Sequence, residues 1–110
     1  MCADYAYEAE KRETIAEAPG LRIRRLRLAA GQSVPWHHHS NITDTFFCMT
    51  GRVVVEMRDP KAERVLDPGQ MFAVPPGVVH FVHGEGFAAC AFMVVQGIGV
   101  YDFVPDGDGS

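Results

Sequence analysis

The chain has few cysteines, no long apolar run, no surplus of positive charge and no helical periodicity, and each absence closes off a class of protein. Its 110 residues hold three cysteines, Cys2, Cys48 and Cys90, an odd number with no C-x-x-C pair. Neither a disulfide framework nor a thiolate zinc site is expected from them. Cys48 and Cys90 sit inside apolar runs and read as small buried hydrophobes. The longest apolar run, Phe87 to Gln96 with Gln its one polar residue, falls well short of the ~18 residues that a membrane span needs, so no membrane partner is expected. The first ten residues carry neither a basic n-region nor an apolar h-region, which makes the cytoplasm the expected location. Lys and Arg number 10 against 14 Asp and Glu, a net charge of −4, and phosphate binding rests on the opposite balance. No nucleic-acid partner is expected. Arg22, Arg24, Arg25 and Arg27 dissent locally, either as an anion-binding stripe or, the preferred reading, as a solvated strand face paired with acidic neighbours.

What remains is a composition able to fold on its own, 47% apolar and 22% charged, in one domain. Residues 1–18 are polar, without a sustained period of 3.6 or 2, and read as an N-terminal arm with room for a short first strand. Residues 19–105 form the folded domain, and 106–110 a flexible tail. Within the domain, short β-branched and aromatic runs alternate with Pro/Gly punctuation. Val53–Met57, a turn at Asp59-Pro60-Lys61-Ala62, and Glu63–Leu66 read as a hairpin. Asp67-Pro68-Gly69-Gln70 and Pro75-Pro76-Gly77-Val78 place Pro and Gly where type II turns want them. Strands of this length with turns this frequent are the pattern of an all-β fold, and the expectation is a single small antiparallel β-barrel or jelly roll.

All five histidines fall in two clusters, His37-His38-His39 and His80/His83. On an extended strand His37 and His39 share a face while His38 points to the other. Two imidazoles on one face can converge on one ion, and Zn, Fe, Ni, Cu and Mn all accept neutral imidazole, so a third ligand from another strand completes a site. His80 is the natural candidate. His83, an odd step from His80, opposes it and reads as packing. Without a metal, the same three histidines would hydrogen-bond to one another or to water.

The spacing Gly31-x5-His37-x-His39-x4-Asp44-x6-Gly51 is followed by Gly69-x5-Pro75-x-Gly77-x2-His80-x3-Gly84. These resemble the two motifs of the cupin superfamily, G-x5-H-x-H-x3,4-E-x6-G and G-x5-P-x-G-x2-H-x3-N. Asp44 stands in place of the motif's Glu and Gly84 in place of its Asn. The short stretch between Gly51 and Gly69 resembles the intermotif region of small single-domain microbial cupins. The resemblance implies a β-barrel with one divalent transition metal (Fe, Mn, Zn or Ni) held by His37, His39, Asp44 and His80. Asp44 is one methylene shorter than Glu, about 1.5 Å less reach, so both direct ligation and ligation through a water are open.

Alternation after Asp44 puts Phe46 and Cys48 on its face, and these with Phe72 and Phe92 are the candidate substrate pocket. Candidates for acid or base chemistry beyond the ligands are Glu56, Tyr101 and Asp102. The functional expectation is a metal-dependent enzyme of dioxygenase, isomerase or lyase type acting on a small oxygen-rich or aromatic metabolite that chelates the metal. The alternative is a non-catalytic small-molecule or metal-binding module. The resemblance further implies a homodimer, for which the edge strand expected at Leu21–Leu28 offers pairing groups.

Overall fold

The computed structural model describes residues 7–106. Cys2 and the last four residues of the expected tail lie outside the described residues. Ten strands are formed: β1 (Lys11–Ala18), β2 (Leu21–Leu28), β3 (Ser33–His38), β4 (Thr43–Thr50), β5 (Val53–Met57), β6 (Ala62–Leu66), β7 (Met71–Val74), β8 (His80–Gly84), β9 (Cys90–Gly97) and β10 (Val104–Pro105), with a short 3-10 turn at Glu85–Phe87. No helix among the described residues is long and apolar enough to cross a membrane.

The all-β jelly-roll architecture holds, but the closed barrel does not. Two antiparallel five-stranded sheets, ordered β1-β2-β9-β4-β7 and β10-β3-β8-β5-β6, face one another and leave their edge strands unjoined. Asp67–Gln70, between β6 and β7, is the expected turn, with Gly69 at φ +93° and Gln70 N–H donating to Asp67 O at 2.9 Å, and it passes the chain from the edge of one sheet to the edge of the other. The β5–β6 hairpin forms in the expected register, from Val53↔Leu66 to Met57↔Ala62.

Leu21–Leu28 is not an edge. Lys11–Ala18 pairs along it as β1 and takes the edge position instead. That strand escapes a search for periodicity because it buries no face: it is exposed along most of its length. It is held by its ladder and by charged pairs across the strands, Arg25 Nε to Glu13 Oε1 at 2.6 Å and Arg27 Nε to Glu10 Oε1 at 3.0 Å. Exposed pairs of this kind contribute little to stability, and a charged edge discourages further pairing. The arginine cluster therefore divides. Arg25 and Arg27 are the solvated face, whereas Arg24 is buried with Leu26 and Leu28 on the inner face of β2.

The core lies between the sheets. Leu28, Val53, Val55, Val82 and Phe92 are fully buried, each contributing about 1.5–3 kcal/mol relative to exposure. Gly84, the departure from the motif's Asn, has a local cause. The 3-10 turn folds Ala88 back so that a Cβ at position 84 would lie 1.9 Å from Ala88 O. Any side chain there requires the turn to move. Asp106, at the start of the expected tail, is tied down by N–H donation to Trp36 O at 2.9 Å and by an ion pair with Arg58.

Candidate metal centre

The two histidine clusters meet because β3 and β8 are neighbours. His37 and His80 are direct cross-strand partners, and a register shift between Val34 and His37 adjusts β3 ahead of the cluster. His39 follows just past the end of β3, and Asp44 arrives from the opposite sheet as the second residue of β4. All four side chains are buried, and one ligand atom from each lies within 4.8 Å of the others.

Hydrogen bonds to carbonyl oxygens set the tautomers. His37 Nδ1 lies 2.7 Å from Pro35 O, His80 Nδ1 lies 2.8 Å from Val78 O, and His39 Nδ1 bonds to Asp102 O. A carbonyl only accepts, so each Nδ1 carries the proton and each neutral ring turns its Nε2 lone pair inward. There the lone pairs meet Asp44. Oδ2 is 2.8 Å from His39 Nε2, 3.1 Å from His80 Nε2 and 3.9 Å from His37 Nε2, and the Nε2 atoms of His37 and His39 are 3.2 Å apart. Four acceptors face one another with no donor among them. A cation at their centre resolves this: bonds of about 2.1 Å place neighbouring ligands about 3.0 Å apart at right angles and about 3.4 Å apart at tetrahedral angles. The chemistry of the donor set suits a divalent transition metal, with the His39 and His80 distances to Asp44 Oδ2 close to ligand spacings and the His37 distance longer.

Without a metal, protons must take its place. Burial opposes charge on Asp44, yet hydrogen bonds from His37, His39 and His80 outweigh it and hold the carboxyl well below its usual range. Burial pulls His39 down, but hydrogen bonding and the charge of Asp44 leave it raised. Burial prevails at His37, which is lowered.

Beside the cluster lies a cavity of about 20 Å³, room for a water or two. Phe46 and Phe92 line it. Cys48 and Phe72 do not. Cys48 sits two residues further along β4, about 7 Å deeper, and packs in the core with its Sγ 3.4 Å from Gly51 O. Phe72, on the edge strand β7, packs against the same core from its margin under the Arg64 guanidinium. Of the three acid-base candidates, only Tyr101 lines the cavity. Asp102 turns its carboxylate to Ser40 N–H at 2.7 Å, and Glu56 pairs with His83 at 2.6 Å away from the cluster.

Two features were not anticipated. The segment Tyr101-Asp102-Phe103 crosses the site, with Phe103 stacked on the His37 ring at 4.3 Å and Asp102 O holding His39. Gln96, on the inner face of β9, donates from Nε2 to Asp44 Oδ1 at 3.2 Å. Gln96 carries a readable signal as the lone polar residue of the longest apolar run; in the segment, Tyr101 and Asp102 are ionisable candidates, whereas Phe103 carries no signal.

Comparison with known proteins places the chain in context. Germin-like protein 3-7 of Oryza sativa subsp. japonica is 32% identical over 79 residues, covering 69% of this chain and 34% of the relative. The chain thus spans about a third of that curated relative's length. A solved structure of oxalate oxidase superposes with a TM-score of 0.70 at 24% identity, over 79% of this chain and 46% of that one. A protein with a double-stranded β-helix domain from Klebsiella pneumoniae gives 0.74 at 20% identity, over 94% and 92%. At those identities the structural likenesses speak for the fold. Residues 24–97, more than half of the chain and the segment that contains all four clustered side chains, match the cupin domain family, and to that family this chain belongs.

Proposed function

We propose that this cupin domain binds one divalent transition metal through His37, His39, Asp44 and His80 and acts enzymatically on a small, oxygen-rich metabolite that chelates it. The observation that carries the reading is the convergence of three inward Nε2 lone pairs and a carboxylate oxygen with no donor between them. Three neutral imidazoles and one carboxylate leave the ion about one positive charge and, in octahedral geometry, two positions for a bidentate oxygen ligand. A metal held there supplies Lewis acidity, with oxygen activation in addition if it is iron.

The chain's own residues shape what reaches those positions. Leu26, Phe46, Phe92 and Val94 keep the inner wall apolar. Tyr101 lines the same cavity, and its phenol pKa is raised, chiefly by burial, so it keeps its proton at neutral pH. Oxalate oxidase, whose structure is similar, acts on a small oxygen-rich molecule, in keeping with this reading. A second reading, the metal-binding form of a non-catalytic module, draws on the cavity size: about 20 Å³ has room for water and for no metabolite.

The deciding experiment is elemental analysis of natively purified, untagged protein beside His37→Ala and His80→Ala, followed by a turnover screen with and without O2. Near-stoichiometric metal lost in both variants, with turnover of a chelating substrate, supports the enzyme. Metal without turnover supports the binding module. A metal-free parent that stays empty on reloading overturns both.

A further inference from the structure

Arg22, Gln96 and Asp44 form one row across three adjacent strands, since Arg22↔Gln96 and Gln96↔Asp44 are direct partners in the β2–β9 and β4–β9 ladders. Arg22 Nε lies 3.2 Å from Gln96 Oε1, and Gln96 Nε2 lies 3.2 Å from Asp44 Oδ1. The direction of this relay is forced. A guanidinium only donates, so the amide oxygen must face Arg22, and the NH2 group then has no choice but to face Asp44. Arg22 is itself held with its guanidinium 3.9 Å above the Tyr101 ring.

We propose that Gln96, oriented by Arg22, is the positioning residue that divides the Asp44 carboxylate, tying up Oδ1 so that Oδ2 alone faces the three imidazoles. This rests on the metal-centre reading above. It also accounts for an aspartate at the motif's glutamate position. A short carboxylate that reaches the centre from a strand has to be held at its second oxygen, or it turns both oxygens to the ion and fills a position that an incoming ligand would use. Gln96 is 7% exposed and Asp44 2%, so the contact is shielded from bulk solvent.

The test is titration of the metal-free protein with Co2+ alone, read by visible absorption, which reports both affinity and coordination number. Gln96→Leu is expected to bind Co2+ roughly 10- to 100-fold more weakly, the range for loss of a partner behind a metal ligand, and to change the intensity of the bands. Arg22→Met, at the half-buried end of the relay, leaves the amide free to flip and is expected to shift the spectrum in the same direction. Val53→Ala removes packing from the core at the start of β5, outside the cavity lining, so its spectrum should match the parent's.

If Gln96→Leu and Arg22→Met keep the parent's affinity and spectrum, the positioning role is overturned while the metal centre stands. If the folded parent takes up no Co2+, the metal-centre reading falls and takes this proposal with it. If Gln96→Leu fails to fold, Arg22→Met decides.

Discussion

Replacing His80 by Ala should abolish most of the stability that metal confers, and the size of the effect can be worked through. In the parent a metal that binds only the folded chain adds RT ln(1 + [M]/Kd), about 2.7 kcal/mol at a hundredfold excess over Kd. For a domain of about this size, 1 kcal/mol moves Tm by about 4 °C or more, so the melting temperature should rise by about 10 °C or more on loading. His80 supplies one of four donors, with its Nε2 3.1 Å from Asp44 Oδ2 and its ring fully buried. Even the loss of a supporting partner weakens metal sites 10- to 100-fold, so losing a ligand should bring Kd up to the metal concentration or beyond. The increment then falls to about RT ln 2, roughly 0.4 kcal/mol and a degree or two. Metal-free, the variant should already melt below the parent, because Val78 O loses its donor in a buried setting at about 1–3 kcal/mol. The assay is calorimetry of chelator-stripped protein with and without Mn, Fe, Zn or Ni. An equal metal increment in parent and variant would refute the assignment of His80. No increment in the parent with any of the four would refute the metal site itself.

Three further outcomes are expected. In the metal-free protein Asp44, with its pKa depressed, adds stability above about pH 4 that is lost as pH falls through its folded value; His39, with its pKa raised, adds stability below about pH 6.5 that is lost as pH rises through its own. His37, with its pKa lowered, pulls the other way in parent and variant alike, so the readout is the difference between them: urea unfolding should show His39→Gln losing more stability relative to the metal-free parent near pH 6 than near pH 8, and because bound metal needs bare Nε2 atoms, loading should favour pH 8. Phe103→Ala removes the ring stacked on His37 and should speed metal loss to a chelator in stopped-flow, an unchanged rate showing that the segment does not limit access. Gly84→Asn restores the motif residue but sets its Cβ against Ala88 O at 1.9 Å, so it should lower stability by more than about 2 kcal/mol; a melting temperature at or above the parent's would show that the 3-10 turn yields.

Much of the site could be read in the sequence because it depends on parity and spacing. Asp44, Phe46 and Cys48 are all buried on one face of β4, as alternation requires, and His37, His39 and His80 meet where two strands pair. Depth is what alternation cannot supply. It says that Cys48 shares a face with Asp44 but not that two residues of rise take it past the cavity into the core. Nor does it register a strand with no apolar face, which is why β1 reads as an arm. Gln96 and Arg22 matter through a register between strands 74 residues apart in sequence, and no local pattern specifies such a pairing.

The segment over the site has a consequence for how variation among related chains should be read. The match to the cupin domain ends at residue 97, yet the carbonyl that fixes His39 belongs to Asp102 and the ring against His37 to Phe103. The donors lie within the part of the chain that its family shares, while the roof over them lies outside it. Two such domains with identical ligand spacing can therefore differ in what they admit, because substitutions at 101–103 alter the entrance without altering the motif. The contact from His39 to Asp102 spans 63 residues, so a nascent chain carries every proposed ligand well before it can hold His39 in place. The centre is complete only once residues 101–103 are in place.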